Sequence, residues 1–126
     1  KNVRFVLKEL PILSPDSRLA ARAALVVWRY QRGRYFNFHT TLMASQGRLS
    51  EARILRLAEK VGEDTNLIKR EMYSNEVSAM LQRNADLAKR LGVRGTPGFI
   101  IGDTIVPGAI DLSALRSLIA GARKKG

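Results

Sequence analysis

The sequence contains no cysteine and one histidine, His39. Without cysteine these residues can form no disulfide, no thiolate nucleophile and no Cys-ligated zinc or iron–sulfur cluster. A single imidazole likewise excludes a multi-histidine metal site. We therefore expect these residues to bind no metal and no cofactor.

Proline and long apolar runs are also scarce. With 4 Pro, 10 Gly and 45% hydrophobic residues, the chain is neither a linker nor a low-complexity polymer, and it can bury a core of ordinary size. No stretch approaches the roughly 20 apolar residues that a membrane-spanning helix needs. The first residues, KNVRFVLKELP, lack the features of a signal peptide. We expect a soluble chain.

Acidic residues are few: 11 Asp and Glu stand against 22 Lys and Arg, which gives a formal net charge of +11. Such a field favours anionic partners, nucleic acid and acidic membrane surfaces included, but it does not specify a fold. Arg29, Arg32 and Arg34 cluster near the predicted end of the first helix. They could bind an anion, although cations in a last turn more often complement the helix dipole.

The pattern of apolar and capping residues predicts one strand followed by five helices. Val3 to Leu7 is short, β-branched and aromatic, which is typical of a strand buried on at least one face. Lys8 and Glu9 at its end are expected to be a rim pair without a role. Caps and helical periodicity then predict helices that start near Ser14, Tyr35, Ser50, Asp64 and Ser74, with breaks at Gly33, Gly62 and Gly92.

Aromatic residues of this block are expected to pack structurally. In the second predicted helix, over residues 35–44, we expect Phe36 and either Phe38 or His39 to be buried. His39 is interpreted as a structural residue rather than a ligand or base.

After residue 92 the pattern changes to short extended runs. Two runs around Gly102-Asp103 predict a hairpin with a type II′ turn, because glycine stands at the first central position. Asp111 is expected to cap a last helix. Its inward residues would be Leu112, Leu115, Leu118 and Ile119.

The segment Arg94-Gly95-Thr96-Pro97-Gly98 directly precedes the first of these strands. Proline cannot donate to a sheet ladder, so its place between glycines at a strand's start indicates a forced backbone shape. A cis bond at Thr96-Pro97 would free the Thr96 N–H and C=O to pair with an extended chain. From the dipeptide alone a trans bond is favoured, since only about 5–6% of X-Pro bonds are cis.

This arrangement resembles the bacterial DsbA-like thiol:disulfide oxidoreductases, in particular the Com1-like branch. The motifs that carry the resemblance are VRFVLKELPIL, SPDSRLAARAAL, YFNFHTTLMAS, EARILRLAEKVGEDTNLIKREM and, most specifically, LAKRLGVRGTPGFIIGDTIVPGAIDLSALRSLI. The resemblance implies an α/β, thioredoxin-like fold with an inserted helical domain. Residues 1–13 would be a strand of that fold, residues 14–92 the helical insertion, and residues 93–126 the cis-Pro loop, hairpin and last helix.

The resemblance also implies a function. Thr96 and Pro97 would face a redox disulfide and bind substrate backbone, with Arg94 and Gly95 at the border of the groove. The partners would be reduced or misoxidised exported proteins, together with a membrane redox partner, in the periplasm or outside a bacterial cell. No nucleic-acid partner is expected. Oxidase, isomerase and reductase roles all stay open.

One departure from the family is large, because its first strand, Cys-x-x-Cys motif and active-site helix would precede Val3. Thiol exchange needs a thiolate, and no residue here replaces it. We therefore expect the chain to be an inactive C-terminal portion of a longer enzyme whose signal peptide also lies elsewhere. The place of the missing central strand would be filled by a segment outside this sequence, by strand exchange or a dimer, or by direct pairing of the two strands beside it.

Two alternatives stay open. One is a peptide-binding module of the same fold without a redox role. The other is a basic helix-turn-helix nucleic-acid binder, for which Ala58, Gly62 and Ile68 have a compatible spacing. Its recognition helix would begin with Glu63 and Asp64, whose charges would face phosphates, so this interpretation is the weaker one.

Overall fold

The computed structural model describes residues 2–12 and 14–125, and the chain divides into two compact units, residues 1–84 and 85–126. The first unit is helical, and the second consists of the end of a long helix, a hairpin and a last helix. The elements are α1 (Pro15–Tyr30), α2 (Arg32–Ala44), α3 (Glu51–Lys60), α4 (Thr65–Glu71), α5 (Asn75–Leu91), β1 (Phe99–Ile101), β2 (Thr104–Val106) and α6 (Leu112–Lys125).

Side-chain caps begin most of these helices. At α1 the Ser17 N–H donates to Ser14 Oγ (3.1 Å) and the Ser14 N–H donates to Ser17 Oγ (3.0 Å), so two backbone donors are satisfied reciprocally. Pro15 occupies the first helical position, where its missing N–H costs nothing. Single caps begin the later helices α3, α4, α5 and α6 at Ser50, Asp64, Ser74 and Asp111, as predicted.

The core of the first unit forms around the small residues of α1. Ala20, Ala23 and Ala24 are buried together with Val26 and Val27. These short side chains let α2, α3 and α4 approach α1 closely. The largest fully buried side chains that fill the remaining space are Phe38, Ile54, Ile68, Met72, Val26 and Val77.

The break between the first two helices lies at Gln31 rather than at the predicted Gly33. Gln31 has a non-helical backbone (φ −144°, ψ 62°), and α2 begins at Arg32, so Gly33 lies in its first turn. This placement settles the orientation of α2. Phe38 is fully buried, whereas Phe36, which was expected to be buried, is 58% exposed.

The predicted strand over Val3 to Leu7 is not formed, and residues 2–12 contain no β-strand. A strand needs a hydrogen-bonded neighbour, and in the described part of the chain the sheet contains only β1 and β2. Val3, Phe5 and Val6 are more than half exposed, and Leu7 packs against the helical core. The expected burial of one face is therefore limited to Leu7.

The second unit contains the predicted hairpin. β1 and β2 pair antiparallel with Phe99 opposite Val106 and Ile101 opposite Thr104. Gly102 in the turn has φ +59°, and a Cβ there would lie 3.2 Å from Ala122 Cβ of α6, so glycine suits both the turn and the close approach.

The last helix, α6, is half-buried along one side only. Leu115, Leu118 and Ile119 are half-buried as predicted, but Leu112, expected inward, is 60% exposed. Leu112 is the first residue of α6, directly after the Asp111 cap. No helix in residues 2–12 and 14–125 has both the length and the apolar character that a bilayer span requires.

The predicted division at residues 13/14 and 92/93 remains a prediction about which segments belong to the inserted domain. The compact units divide instead at 84/85, within the continuous helix α5.

Glu63 is a buried carboxylate directly after α3. It is 7% exposed, and neither carboxylate oxygen has a hydrogen-bond partner in the described part of the chain. Burial raises the pKa of Glu63, and the nearby Arg34 guanidinium opposes this shift. Glu63 therefore destabilises the fold once the pH rises above the ordinary pKa of glutamate, because its charged form is buried.

We predict that Phe38→Ala lowers the free energy of unfolding by about 3–5 kcal/mol, because the lost ring leaves a cavity in the core. Phe36→Ala, two residues away on the exposed side of α2, is the matched control and should change it by less than about 1 kcal/mol. Urea unfolding followed by circular dichroism measures both values. Equal losses would contradict the assigned orientation of α2.

We predict that Glu63→Gln stabilises the chain at neutral pH by on the order of 1 kcal/mol. A carboxyl whose folded pKa is raised loses its stabilising contribution as the pH rises, and the amide has no such dependence. The difference in the free energy of unfolding between Glu63→Gln and the parent should therefore shrink as the pH is lowered toward 4.5, the ordinary pKa of glutamate. Urea midpoints between neutral and acidic pH test this, and a pH-independent difference would refute it.

Candidate substrate-binding loop

The end of α5 determines where the loop of residues 93–98 begins. The Gly92 N–H donates to Lys89 O (3.2 Å) and the Val93 N–H donates to Ala88 O (2.8 Å), with Gly92 at φ +72°. These two bonds form a Schellman motif, which satisfies the last carbonyls of the helix and reverses the chain. Arg94 is the first residue after the motif, and it is exposed.

The other end of the loop is fixed by a close contact with Val93. A Cβ on Gly98 would lie 2.8 Å from Val93 Cγ1, a distance that real Cβ atoms do not show, so the backbone passes the valine only because residue 98 is glycine. Phe99 then begins β1. The loop therefore lies between the end of α5 and the start of β1, and the contact of Val93 with Gly98 holds its two ends together.

The four residues predicted for the site, Arg94, Gly95, Thr96 and Pro97, lie together in this loop, and all are exposed. The Thr96–Pro97 peptide bond is cis. In the described part of the chain the Thr96 backbone makes no hydrogen bond. Its N–H and C=O are therefore available to water or to an incoming extended chain.

The loop has no group of its own for thiol chemistry, because the chain has no cysteine. Its side chains offer one hydroxyl, at Thr96, and one cation, at Arg94. Nor do residues 2–12 and 14–125 contain a group of three or more His, Asp and Glu that could hold a metal ion. The loop therefore offers backbone N–H and C=O groups for binding, with the positive charge of Arg94 beside them.

A second group of polar residues, missed from the sequence, lies in the first unit around Glu9. Glu9 Oε1 accepts from the Tyr35 hydroxyl (2.5 Å) and lies 2.9 Å from His39 Nδ1. The Glu9 and His39 side chains are 11% and 17% exposed, so the expectation of a rim pair at Lys8 and Glu9 is wrong for Glu9. His39 is a hydrogen-bonded structural residue, as predicted.

This cluster anchors the N-terminal segment. Asn84 Nδ2 donates to the Glu9 backbone carbonyl (2.9 Å), so Glu9 is bound from α2 and from α5. Burial and the Glu9 carboxylate both raise the pKa of Tyr35, which keeps the hydroxyl protonated as a donor. The signal in the sequence was the spacing of Tyr35 and His39, which places them one turn apart on one helix face.

The arginine cluster is distributed over separate contacts. Arg32 lies over the Trp28 ring at 4.6 Å from its centroid, and Arg29 lies over Tyr30 at 5.6 Å. Arg34 Nη1 donates to the Gly62 carbonyl after α3 (2.5 Å). Only Arg29 lies in the last turn of α1, where the helix-dipole interpretation applies.

Comparison with solved structures defines the class of the fold. A thioredoxin-like oxidoreductase from Silicibacter pomeroyi DSS-3 matches 93% of this chain and 66% of its own at 42% identity, with a TM-score of 0.86. The thiol-disulfide exchange protein alpha-DsbA2 from Wolbachia pipientis matches 92% of this chain and 63% of its own at 32% identity, with a TM-score of 0.85. The chain has the fold of a thiol:disulfide oxidoreductase and spans about two thirds of these proteins.

The sequence comparison names the family. The profile of the DSBA-like thioredoxin domain matches residues 1–120, so the chain belongs to this family, and the resemblance found in its motifs is confirmed. The chain is also 27% identical over 123 residues to the Na(+)/H(+) antiporter NhaA 3 of Salinispora tropica, where the match covers 96% of this chain and 19% of that protein.

We predict that Glu9 and Tyr35 are energetically coupled by about 1–3 kcal/mol, because removal of the Glu9 carboxylate takes away the acceptor of the buried Tyr35 hydroxyl. A double-mutant cycle of Glu9→Ala and Tyr35→Phe in urea unfolding measures this coupling. The exposed pair Tyr73 and Glu51, joined at 2.6 Å, is the control. Its cycle should give less than about 1 kcal/mol. Equal coupling in the two cycles would show that burial of the Glu9 cluster adds nothing.

Proposed function

We propose that the chain is the substrate-binding portion of a thiol:disulfide oxidoreductase that acts on exported proteins. The observation that carries the proposal is the exposed loop of residues 94–97 in a chain whose residues 1–120 match the DSBA-like thioredoxin domain. The cysteine pair would lie in polypeptide outside these 126 residues. By itself the chain would not catalyse thiol exchange, because the reaction requires a thiolate.

In the proposed mechanism the loop holds the substrate while sulfur chemistry takes place beside it. An extended segment of a reduced or misoxidised protein pairs with the Thr96 N–H and C=O as an added strand. Pro97 borders the reacting sulfurs, and Arg94 and Gly95 line the groove. A thiolate attacks a disulfide sulfur, the S–S bond breaks, its other sulfur leaves as a thiolate, and a mixed disulfide forms. A second thiolate then attacks the mixed disulfide, which forms a new disulfide and releases the other sulfur as a thiolate.

The backbone next to the loop supports strand addition. β1 begins at Phe99 and pairs with β2 along one edge. In the described part of the chain the Thr96 N–H and C=O, just before this strand, make no backbone hydrogen bond. Free backbone groups of this kind accept an extended peptide, and backbone hydrogen bonds tolerate many substrate sequences.

The proposal extends to location and assembly. Disulfides persist in oxidising compartments, so a periplasmic or secreted protein of a bacterium is the setting that suits this chemistry. A membrane redox partner would restore the oxidation state of the cysteines. The exposed Val3, Phe5 and Val6 would be covered by the missing central strand, supplied by further polypeptide or by strand exchange in a dimer.

We predict that a photo-cross-linking residue at position 94 captures a reduced, unfolded protein several times more efficiently than the same residue at position 116. Arg94 and Arg116 are both exposed and belong to the same compact unit. Gel analysis of the cross-linked products, with alkylated ribonuclease as the probe, measures the ratio. Equal capture at both positions would count against the loop as the binding site.

A redox assay on the same chain tests its dependence on outside cysteines. The 126 residues should not accelerate disulfide formation in reduced ribonuclease above the glutathione background, whereas the chain joined to a family Cys-x-x-Cys segment should. Capture at position 94 without activity in the joined protein would favour a peptide-binding module that has no redox role.

A further inference from the structure

The region between Asp16 and Glu51 contains no acidic residue. Residues 17–50 include six arginines and neither Asp nor Glu. Three of these arginines make contacts within the fold: Arg22 donates to Met72 O and Ser78 Oγ, Arg34 donates to Gly62 O, and Arg48 pairs with Asp16. The other three, Arg18, Arg29 and Arg32, are exposed.

Two of the remaining arginines lie over aromatic rings where α1 turns into α2. Only Gln31 separates the helices there. Arg29 and Arg32 are exposed, and they stack on Tyr30 and Trp28 respectively. Stacking keeps each guanidinium extended over a ring, with its remaining donors directed to solvent.

An apolar stripe continues from this corner along α2. Arg32, Phe36 and Met43 are spaced i, i+4 and i+11, so they lie on one stripe of the helix about 16 Å long. Phe36 is 58% exposed and Met43 is 61% exposed. An adjacent side of α2 is buried through Tyr35, Phe38 and Leu42. Within the described residues the stripe therefore exposes two apolar side chains, Phe36 and Met43, beside exposed cations.

We propose that this surface docks on an anionic lipid bilayer. We call it the corner surface, and its residues are Trp28, Arg29, Tyr30, Arg32, Phe36 and Met43. The guanidinium groups meet lipid phosphates, the Trp28 and Tyr30 rings lie at the level of the headgroups, and Phe36 and Met43 enter the acyl boundary. The occupant follows from charge complementarity, because the surface has one sign of charge around apolar side chains.

The apolar side chains distinguish a bilayer from a nucleic acid. A phosphate backbone would satisfy Arg29 and Arg32, but it would offer no hydrocarbon to Phe36 and Met43. A bilayer offers both phosphate and hydrocarbon in one layer. The surface lies in the first unit, whereas the substrate loop lies in the second, so the inference is independent of the proposed redox function.

The test begins with vesicles of phosphatidylglycerol and phosphatidylcholine mixed in equal parts, compared with phosphatidylcholine alone. The whole chain should sediment with the mixed vesicles and not with the neutral ones, and added sodium chloride should weaken the binding. Trp28 is the only tryptophan of the chain, so its fluorescence should shift to shorter wavelength on binding. Equal binding to neutral vesicles, or no shift of Trp28, would overturn the proposal.

Charge variants separate the corner surface from the net charge. Arg29→Gln with Arg32→Gln should weaken vesicle binding about thirtyfold, since each cation near an anionic membrane contributes about fivefold. Lys124→Gln with Lys125→Gln removes the same charge from the exposed end of α6 and should weaken it less than about threefold. Both losses of binding are measured by sedimentation rather than by fluorescence, because the first pair of substitutions also changes the surroundings of Trp28. Equal losses would overturn the proposal.

Apolar variants test insertion. Phe36→Ser should weaken vesicle binding about tenfold, because a ring that enters the acyl boundary is lost. Leu112→Ser, at an equally exposed leucine of the second unit, should leave binding unchanged. Circular dichroism verifies that both variants are folded. If Phe36→Ser has no effect, and an oligothymidylate displaces the vesicles, the surface binds anions by charge alone and the proposal is wrong.

Discussion

Burial of the alanine- and valine-rich face of α1 is the constraint on which the first unit depends. Small side chains at Ala20, Ala23 and Ala24 let three further helices pack directly against it. Because α2 must direct Phe38 into this core, Phe36 necessarily lies outside it. The exposed stripe of α2 is thus a consequence of core packing as well as a surface in its own right.

Local features of the fold could be predicted from the sequence, and features that need a distant partner could not. The caps at Ser14 and Asp111 involve residues three positions apart, and the hairpin involves adjacent runs, so the pattern contains what is needed. The strand expected at Val3 to Leu7 depends on a neighbour that the described residues do not supply. Its β propensity alone could not form it.

The same distinction applies to the polar sites. Arg94, Gly95, Thr96 and Pro97 are consecutive, so the sequence could place them in one loop. Glu9, by contrast, meets Tyr35 across 26 positions and Asn84 across 75, and no local pattern brings these residues together. The resemblance to a family suggested the role that we propose for the loop, whereas the Glu9 cluster emerged only from the packing of the helices.

Val93 belongs to two pieces of structure at once. Its amide closes the terminus of α5 through Ala88, and its methyl group lies against the backbone at Gly98. A chain that displaced the loop would therefore also disturb the last turn of α5, and unwinding of that turn would make the loop more mobile. The position of the loop and the integrity of the helix end therefore depend on one residue, through its backbone and its side chain together.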